Sequence, residues 1–207
     1  MLPRLLPMLA TAAQPFDHPD YAFEIKWDGV RALAAVEPHG WRVWGRRGAD
    51  YTARYPELCC LSWLPPGTIV DGELVVFTAG RPDLALLLRR HHLLDLWRIR
   101  AAARWAPVRY ILFDLLYYRG RSCLAEPWQR RRDRLANLCA AWAEPTVLLS
   151  EAVVGQGREL YQAVLAQGYE GVMAKHLTAP YRPGRRAPAW RKIKPKTNST
   201  TRARSTS

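Results

Sequence analysis

Apolar and polar positions alternate over several short stretches of the chain and stop at turn-forming residues, a pattern that predicts strands. Tyr21 to Ile25 is the first. Val30 to Val36 and Trp41 to Arg46 flank Pro38-His39-Gly40 and read as an antiparallel hairpin. Ile69 to Phe77 and Val108 to Tyr118 are longer β-branched and apolar runs, while Thr146 to Ser150 and Glu170 to Lys175 are shorter. From Trp190 to Pro195 the alternation is strict, so Lys192 and Lys194 fall on one face and Arg191 and Ile193 on the other. Helical spacing takes over in Ala53 to Leu58, in the Leu- and Arg-rich stretch Leu84 to Ala103, in Pro127 to Trp142 and in Gly157 to Gln167, which Gly168 closes. Leu84 to Ala103 reads as one basic amphipathic surface helix. Leu2 to Gln14 reads as an irregular lead-in, and the Ser/Thr/Arg-rich tail from Lys196 to Ser207 as disordered.

Two features depart from this plain patterning. Ile69 to Phe77 carries Asp71 and Glu73 in its middle, and acids inside a strand built for burial are costly unless they bind something, which marks Glu73 for function. The other is the use of lysine. Of 31 basic residues only five are lysines, at positions 26, 175, 192, 194 and 196. Arginine stays protonated and is no nucleophile, whereas a lysine amine near phosphates or other cations can lose its proton and attack an electrophile. Lys26 lies in Phe23-Glu24-Ile25-Lys26-Trp27-Asp28-Gly29-Val30-Arg31, in the connection just after a strand. Lys-x-Asp-Gly alone is weak, since a chain of this length shows one by chance about one time in twenty; its weight comes from the motifs downstream.

Composition narrows the partners. With 207 residues the chain can bury a sizeable core, and no stretch reaches membrane-spanning length. Met1 to Ala13 is apolar, but Pro3 and Pro7 interrupt it and its basic region is one Arg, so a cytoplasmic protein is expected rather than an exported one. Cys59, Cys60, Cys123 and Cys139 form no C-x-x-C pair and read as buried thiols in a reducing compartment. A formal net charge of +13 calls for a polyanion, nucleic acid first, and nine Trp and nine Tyr offer flat faces for stacking, although most belong in a core.

In order, Lys26-x-Asp28-Gly29-x-Arg31, Arg46-Arg47-Gly48 with Tyr55-Pro56-Glu57, Asp71-Gly72-Glu73-Leu74, Phe113-Asp114-Leu115-Leu116, Glu170-Gly171-Val172-Met173-x-Lys175 and Trp190-x-Lys192-x-Lys194 resemble the nucleotidyltransferase domain of ATP-dependent DNA ligases, and most closely the bacterial end-joining type. The resemblance runs from about Pro7 to Pro195. It implies an α+β domain over residues 1–195, two antiparallel sheets with flanking helices in an ATP-grasp-like arrangement, and residues 196–207 as a basic tail. It implies that Lys26 attacks the α-phosphorus of ATP, that Lys192 and Lys194 neutralise the phosphoryl oxygens, and that Glu170 and Glu73 hold Mg²⁺. Phe113 is then expected to stack on adenine, Glu24 to help read the base, and Arg31 with Glu73 to hold the ribose. Asp28, Gly29 and Lys175 belong to the nucleotide site, Lys175 with a loosely assigned role. Arg46 is placed near the phosphate of a DNA nick, and Arg90, Arg182, Arg185 and Arg186 are expected on the DNA backbone.

Relatives of this kind continue past Trp-x-Lys-x-Lys into an OB-fold domain, where here only about a dozen polar residues follow. The expectation is therefore a ligase adenylation domain acting on nicked double-stranded DNA, aided by a separate OB-fold subunit or end-joining proteins. The alternative is a DNA-binding remnant or accessory subunit without turnover. RNA ligases and GTP-using capping enzymes share the covalent lysine but fit Glu24, Tyr55-Pro56-Glu57 and the Tyr181 to Arg186 loop less well.

Overall fold

The computed structural model describes residues 1–142 and 144–195. The disorder expected from Lys196 onward lies outside the described residues. Two sheets face each other. The smaller is built from β1 (Leu9–Ala12), β2 (His18–Ile25), β10 (Ala152–Gly155), β11 (Val172–His176) and β12 (Arg186–Ile193), in the order β1-β12-β11-β2-β10. The larger follows β4 (Gly40–Gly45), β3 (Val30–Glu37), β5 (Thr68–Thr78), β7 (Val108–Tyr118) and β8 (Arg121–Ser122), with β6 (Arg81–Pro82) beside β5 and β9 (Val147–Leu149) beside β7. Pairing is antiparallel except for β1 with β12 and β9 with β7.

Both faces of the larger sheet are covered, and this shapes its sequence. In β3 the residues Ala32, Ala34 and Val36 pack into one core while Leu33 and Ala35 pack into another. A strand buried on both sides loses the apolar-polar alternation of a half-exposed one. On the outer side lie two 3-10 segments (Thr52–Arg54 and Pro56–Trp63) and the helices α1 (Leu84–His91), α2 (Leu96–Trp105) and α3 (Trp128–Ala140). Leu58, Leu61, Leu87 and Leu135 from these elements meet Val70, Leu74 and Tyr110 of the sheet. On the inner side the two sheets meet through Leu33, Trp44, Ile69 and Phe113 against Ala22, Tyr181 and Trp190. A fourth helix, α4 (Gly157–Ala166), covers the outer face of the smaller sheet through Val164 on Phe23, Val172 and Ile193.

Four expectations change, the simplest being that Cys59, read as a buried thiol, is exposed. Leu9–Ala12, inside the supposed lead-in, is the edge strand β1, paired from Leu9↔Arg186 to Ala12↔Lys192. The long helix from Leu84 is two helices, because Asp95 accepts from Arg98 N at 2.9 Å and starts α2 afresh, as Asp83 starts α1 through Leu86 N. And Arg90, expected at the DNA, is buried at 2% exposure. Its guanidinium lies 2.6 Å from Glu57, donates to Ala106 O at 2.6 Å, and packs over the Tyr55 ring. It is a structural cation, and the phosphate contact assigned to it does not stand.

Candidate active site

Alternation carries side chains from both sheets into the space between them. In β2, Tyr21, Phe23 and Ile25 point outward to α4, so Ala22, Glu24 and, just past the strand end, Lys26 point inward. Met173 and Lys175 of β11 and Trp190 and Lys192 of β12 do the same, with Lys194 following. Arg191 and Ile193 face the other way, Arg191 lying 4.9 Å over the Tyr21 ring. From the larger sheet come Arg31, Glu73 and Phe113. Together with Arg46, Arg186 and residues Pro7 to Ala10 they line a cleft of about 320 Å³.

Two close backbone approaches hold the strand end at Lys26. Lys26 N donates to Gly171 O at 2.9 Å. Gly171 has φ of 146°, and a Cβ there would sit 2.1 Å from Ile193 O, so only glycine lets β2, β11 and β12 converge at this point. Gly29 is pressed against β5 in the same way, 2.2 Å from Leu74 O for a Cβ, and supports the cleft without lining it.

The Lys26 ammonium forms an ion pair with Glu170, whose second oxygen is taken by Lys194. Burial lowers the Lys26 pKa from the usual lysine range, against the pull of Glu73 and Asp28, with Arg31 pushing it down further. The Lys194 pKa is also lowered, by burial first and then by the Lys26 charge. The Glu170 contact works to keep both protonated, and it is the contact an incoming anion would have to break. Burial raises Glu73 to about 7 even though Arg31 and Lys26 hold it down.

Deeper in the cleft sits a second group. Lys175 Nζ donates to Glu24 at 2.9 Å, both residues almost fully buried. Burial raises the Glu24 pKa and lowers that of Lys175, and each opposes the other's shift. Lys175 Nζ also lies 4.3 Å from the Phe113 ring centre, and Arg31 Cζ 4.5 Å. Phe113 is 7% exposed, so little of its face is open to a base. Arg31 itself is aimed by Asp71, which accepts from its Nε and from its Nη2 at 2.6 Å each and from the Tyr181 hydroxyl at 2.6 Å. Two register shifts in the β5–β7 pairing bracket Asp71, the usual place for a bulge beside a site.

The matched family model is the ATP dependent DNA ligase domain, and it covers residues 1–194. The chain belongs to that family. The ligase domain is 34% identical over 195 residues to the multifunctional non-homologous end joining protein LigD of Mycobacterium bovis, covering 92% of this chain and 24% of that protein. It thus spans about a quarter of that relative's length. A DNA ligase of Methanothrix thermoacetophila is 34% identical over 182 residues, 84% of this chain and 32% of its own. Among solved structures, a mycobacterial DNA ligase D complexed with ATP and MES superposes with a TM-score of 0.74 at 32% identity, over 92% of this chain and 60% of that one.

Within the ligase domain, the residues singled out from sequence separate into three groups. Glu24, Lys26, Arg31, Arg46, Glu73, Phe113, Lys175, Arg186, Lys192 and Lys194 converge on the cleft. Glu170 joins them through its two lysines, and Asp28 acts on Lys26 and Lys194 through its charge. Arg182 and Arg185 sit exposed on the loop beside Leu9, where Leu9 N donates to Arg185 O at 2.9 Å. Gly29 packs on β5 without lining the cleft, and Arg90 lies elsewhere. The roles of Asp71 and Tyr181 escaped the sequence reading. Their signal was present in part, since Asp71 is the other acid of a buried strand.

Proposed function

We propose that this domain transfers AMP from ATP through Lys26 and onward to the 5′-phosphate of a DNA nick. The observation that carries this reading is the burial-lowered amine of Lys26 lying in one cleft with Lys192, Lys194 and Arg31. In the first step the Lys26 Nζ lone pair forms a bond to the α-phosphorus, the bond from that phosphorus to the bridging oxygen breaks, and pyrophosphate leaves; the amine gives up a proton as it becomes a phosphoramide. Lys192 and Lys194 neutralise the charge that builds on phosphoryl oxygens, as compact cations on one strand face. Triphosphate oxygens compete with Glu170 for Lys26 and Lys194 and so release the amine. The Lys175–Glu24 pair and the edge of Phe113 fit the base end of the cleft, and Arg31, fixed by Asp71, fits the ribose. Arg46 and Arg186 at the cleft, with Arg182 and Arg185 on the loop, supply cations for DNA phosphates.

Magnesium fits this donor set only as a partner of phosphate. No group of three or more His, Cys, Asp or Glu gathers as a metal site among the described residues, so a protein cage is not built here. Glu73 and Glu170 offer hard oxygens of the kind that hold Mg²⁺ beside nucleotide phosphates, and Glu170 becomes free for that once its lysines turn to the triphosphate. Bound there, the ion would supply Lewis-acid neutralisation of phosphate charge. A DNA-binding module without turnover is not favoured, because the cleft gathers the cations and carboxylates that the transfer uses. The test is incubation with α-labelled ATP and Mg²⁺. Label is expected on the protein and is expected to vanish in Lys26→Ala; label persisting in that variant would overturn the assignment.

A further inference from the structure

Three tryptophans that the cleft does not use lie at the surface, Trp63, Trp97 and Trp105, at 80%, 76% and 63% exposure. Exposed tryptophan is unusual in a core-forming domain, and such exposure grouped on one element marks a contact surface. Trp97 and Trp105 stand on α2, with small Ala101 one turn after Trp97. At 1.5 Å per residue they are about 12 Å apart along the axis. Arg100 and Arg104 are exposed between them, and α2 contains no acidic residue. The helix buries Ile99 and Ala102 on its other side. The helix packs against the two 3-10 segments and contributes no residue to the lining of the nucleotide cleft, so this surface is separate from it.

The occupant follows from the mixture. Flat rings interleaved with guanidinium groups, with no carboxylate among them, match a polyanion that exposes aromatic faces. Duplex DNA hides its base faces in the stack. A membrane-surface helix separates apolar and charged residues onto opposite faces, whereas here both share the outward face. A second copy of this surface would set arginines against arginines. We propose that α2 is a binding platform for single-stranded DNA, with bases stacked on Trp97 and Trp105 and phosphates held by Arg100 and Arg104. At 3.4 Å per stacked nucleotide the span takes on the order of three nucleotides. This goes beyond the nick-sealing reading and stands independently of it.

The experiment is fluorescence anisotropy of a labelled twelve-residue oligothymidylate titrated with the full chain at several salt concentrations. Binding is expected to survive Arg158→Ala, a change at an exposed arginine of α4. The pair Trp97→Ala and Trp105→Ala is expected to weaken it at least about tenfold, in line with the cost of losing stacked bases, and the matching Phe pair to restore most of it. Arg100→Gln with Arg104→Gln is expected to reduce the slope of log affinity against log salt by about 1.4. Labelling of Lys26 by ATP should be unchanged in the Trp97 and Trp105 variants, which separates loss of binding from loss of fold. The proposal is overturned by absence of binding, by binding that ignores the tryptophans or depends equally on Arg158, or by tighter binding of oligouridylate. Tryptophan-dependent capture by anionic vesicles, or tryptophan-dependent dimers in sedimentation, without oligothymidylate binding would also overturn it.

Discussion

Asp71 gives the most exacting test of how the larger sheet aims its cation. It is fully buried and accepts two hydrogen bonds from Arg31 and one from Tyr181, all at 2.6 Å. In Asp71→Ala the guanidinium of Arg31 loses its counter-charge and the Tyr181 hydroxyl loses its acceptor. Removing one side of a buried pair costs about 3–5 kcal/mol. The Arg31 side chain keeps 20% exposure, so water recovers part of the loss and the figure falls near the low end, about 3 kcal/mol. The Tyr181 hydroxyl still accepts from Met8 N at 2.8 Å, so its share is one lost hydrogen bond, about 1 kcal/mol. Together these make about 4 kcal/mol, or a fall in Tm of roughly 12 °C for a domain of this size. Tyr181→Phe alone should cost about 2 kcal/mol, since it removes the donor to Asp71 and also the acceptor of Met8 N. The double variant should then cost about 1 kcal/mol less than the sum, because the two share one contact. Urea unfolding of the four proteins measures all of this. A cost below 1 kcal/mol for Asp71→Ala, or strict additivity with Tyr181→Phe, would refute the idea that Asp71 neutralises a buried cation.

Two further outcomes test other parts of the site. Burial raises the Glu73 pKa in the folded state to about 7 from its ordinary value of 4.5, so the folded state holds its proton more tightly and stability should fall as pH rises between those values, then level off above about 7. Glu73→Gln should flatten that part of the stability curve, which thermal melts at pH 4.5 to 8 would show; an unchanged curve would mean the carboxyl is not desolvated. Arg90→Ala should cost about 3–5 kcal/mol by stranding Glu57, yet leave the salt dependence of DNA binding as it was. A lowered salt slope would return Arg90 to the surface role that its burial denies.

The sequence made the cleft-facing half of the smaller sheet legible because a short periodicity suffices there. Strict alternation around Lys192 predicts which side chains share a face, and the structure keeps Arg191 and Ile193 on the opposite one. The scarcity of lysine pointed to the cleft for the same local reason. What stayed hidden depends on partners remote along the chain. Strands β1 and β10 have four residues each and exist because β12 and β2 offer them edges. Arg89 and Arg90 are adjacent and chemically identical, yet one is exposed and the other enclosed. The deciding factor is Glu57, 33 positions away, which also accepts from Val108 N at 2.9 Å. Its place in Tyr55-Pro56-Glu57, a lone acid before the apolar run from Leu58, was the available hint. Aspartates read as loop polarity can equally be helix starts, and Asp95 shows why a pattern of apolar spacing overruns such a break.

Every lysine among the described residues opens onto the same cavity, while positive charge elsewhere on them is carried by arginine. Among the described residues, lysine chemistry therefore has a single address. A reagent that acylates lysine would report there on occupancy of that cavity, read apart from Lys196 and the N-terminal amine, and a saturating nucleotide would shield it. A protease that cuts only after lysine would free residues 1–26 from the unmodified protein, whereas an adduct at Lys26 would block that cut and leave residues 1–175 as one peptide.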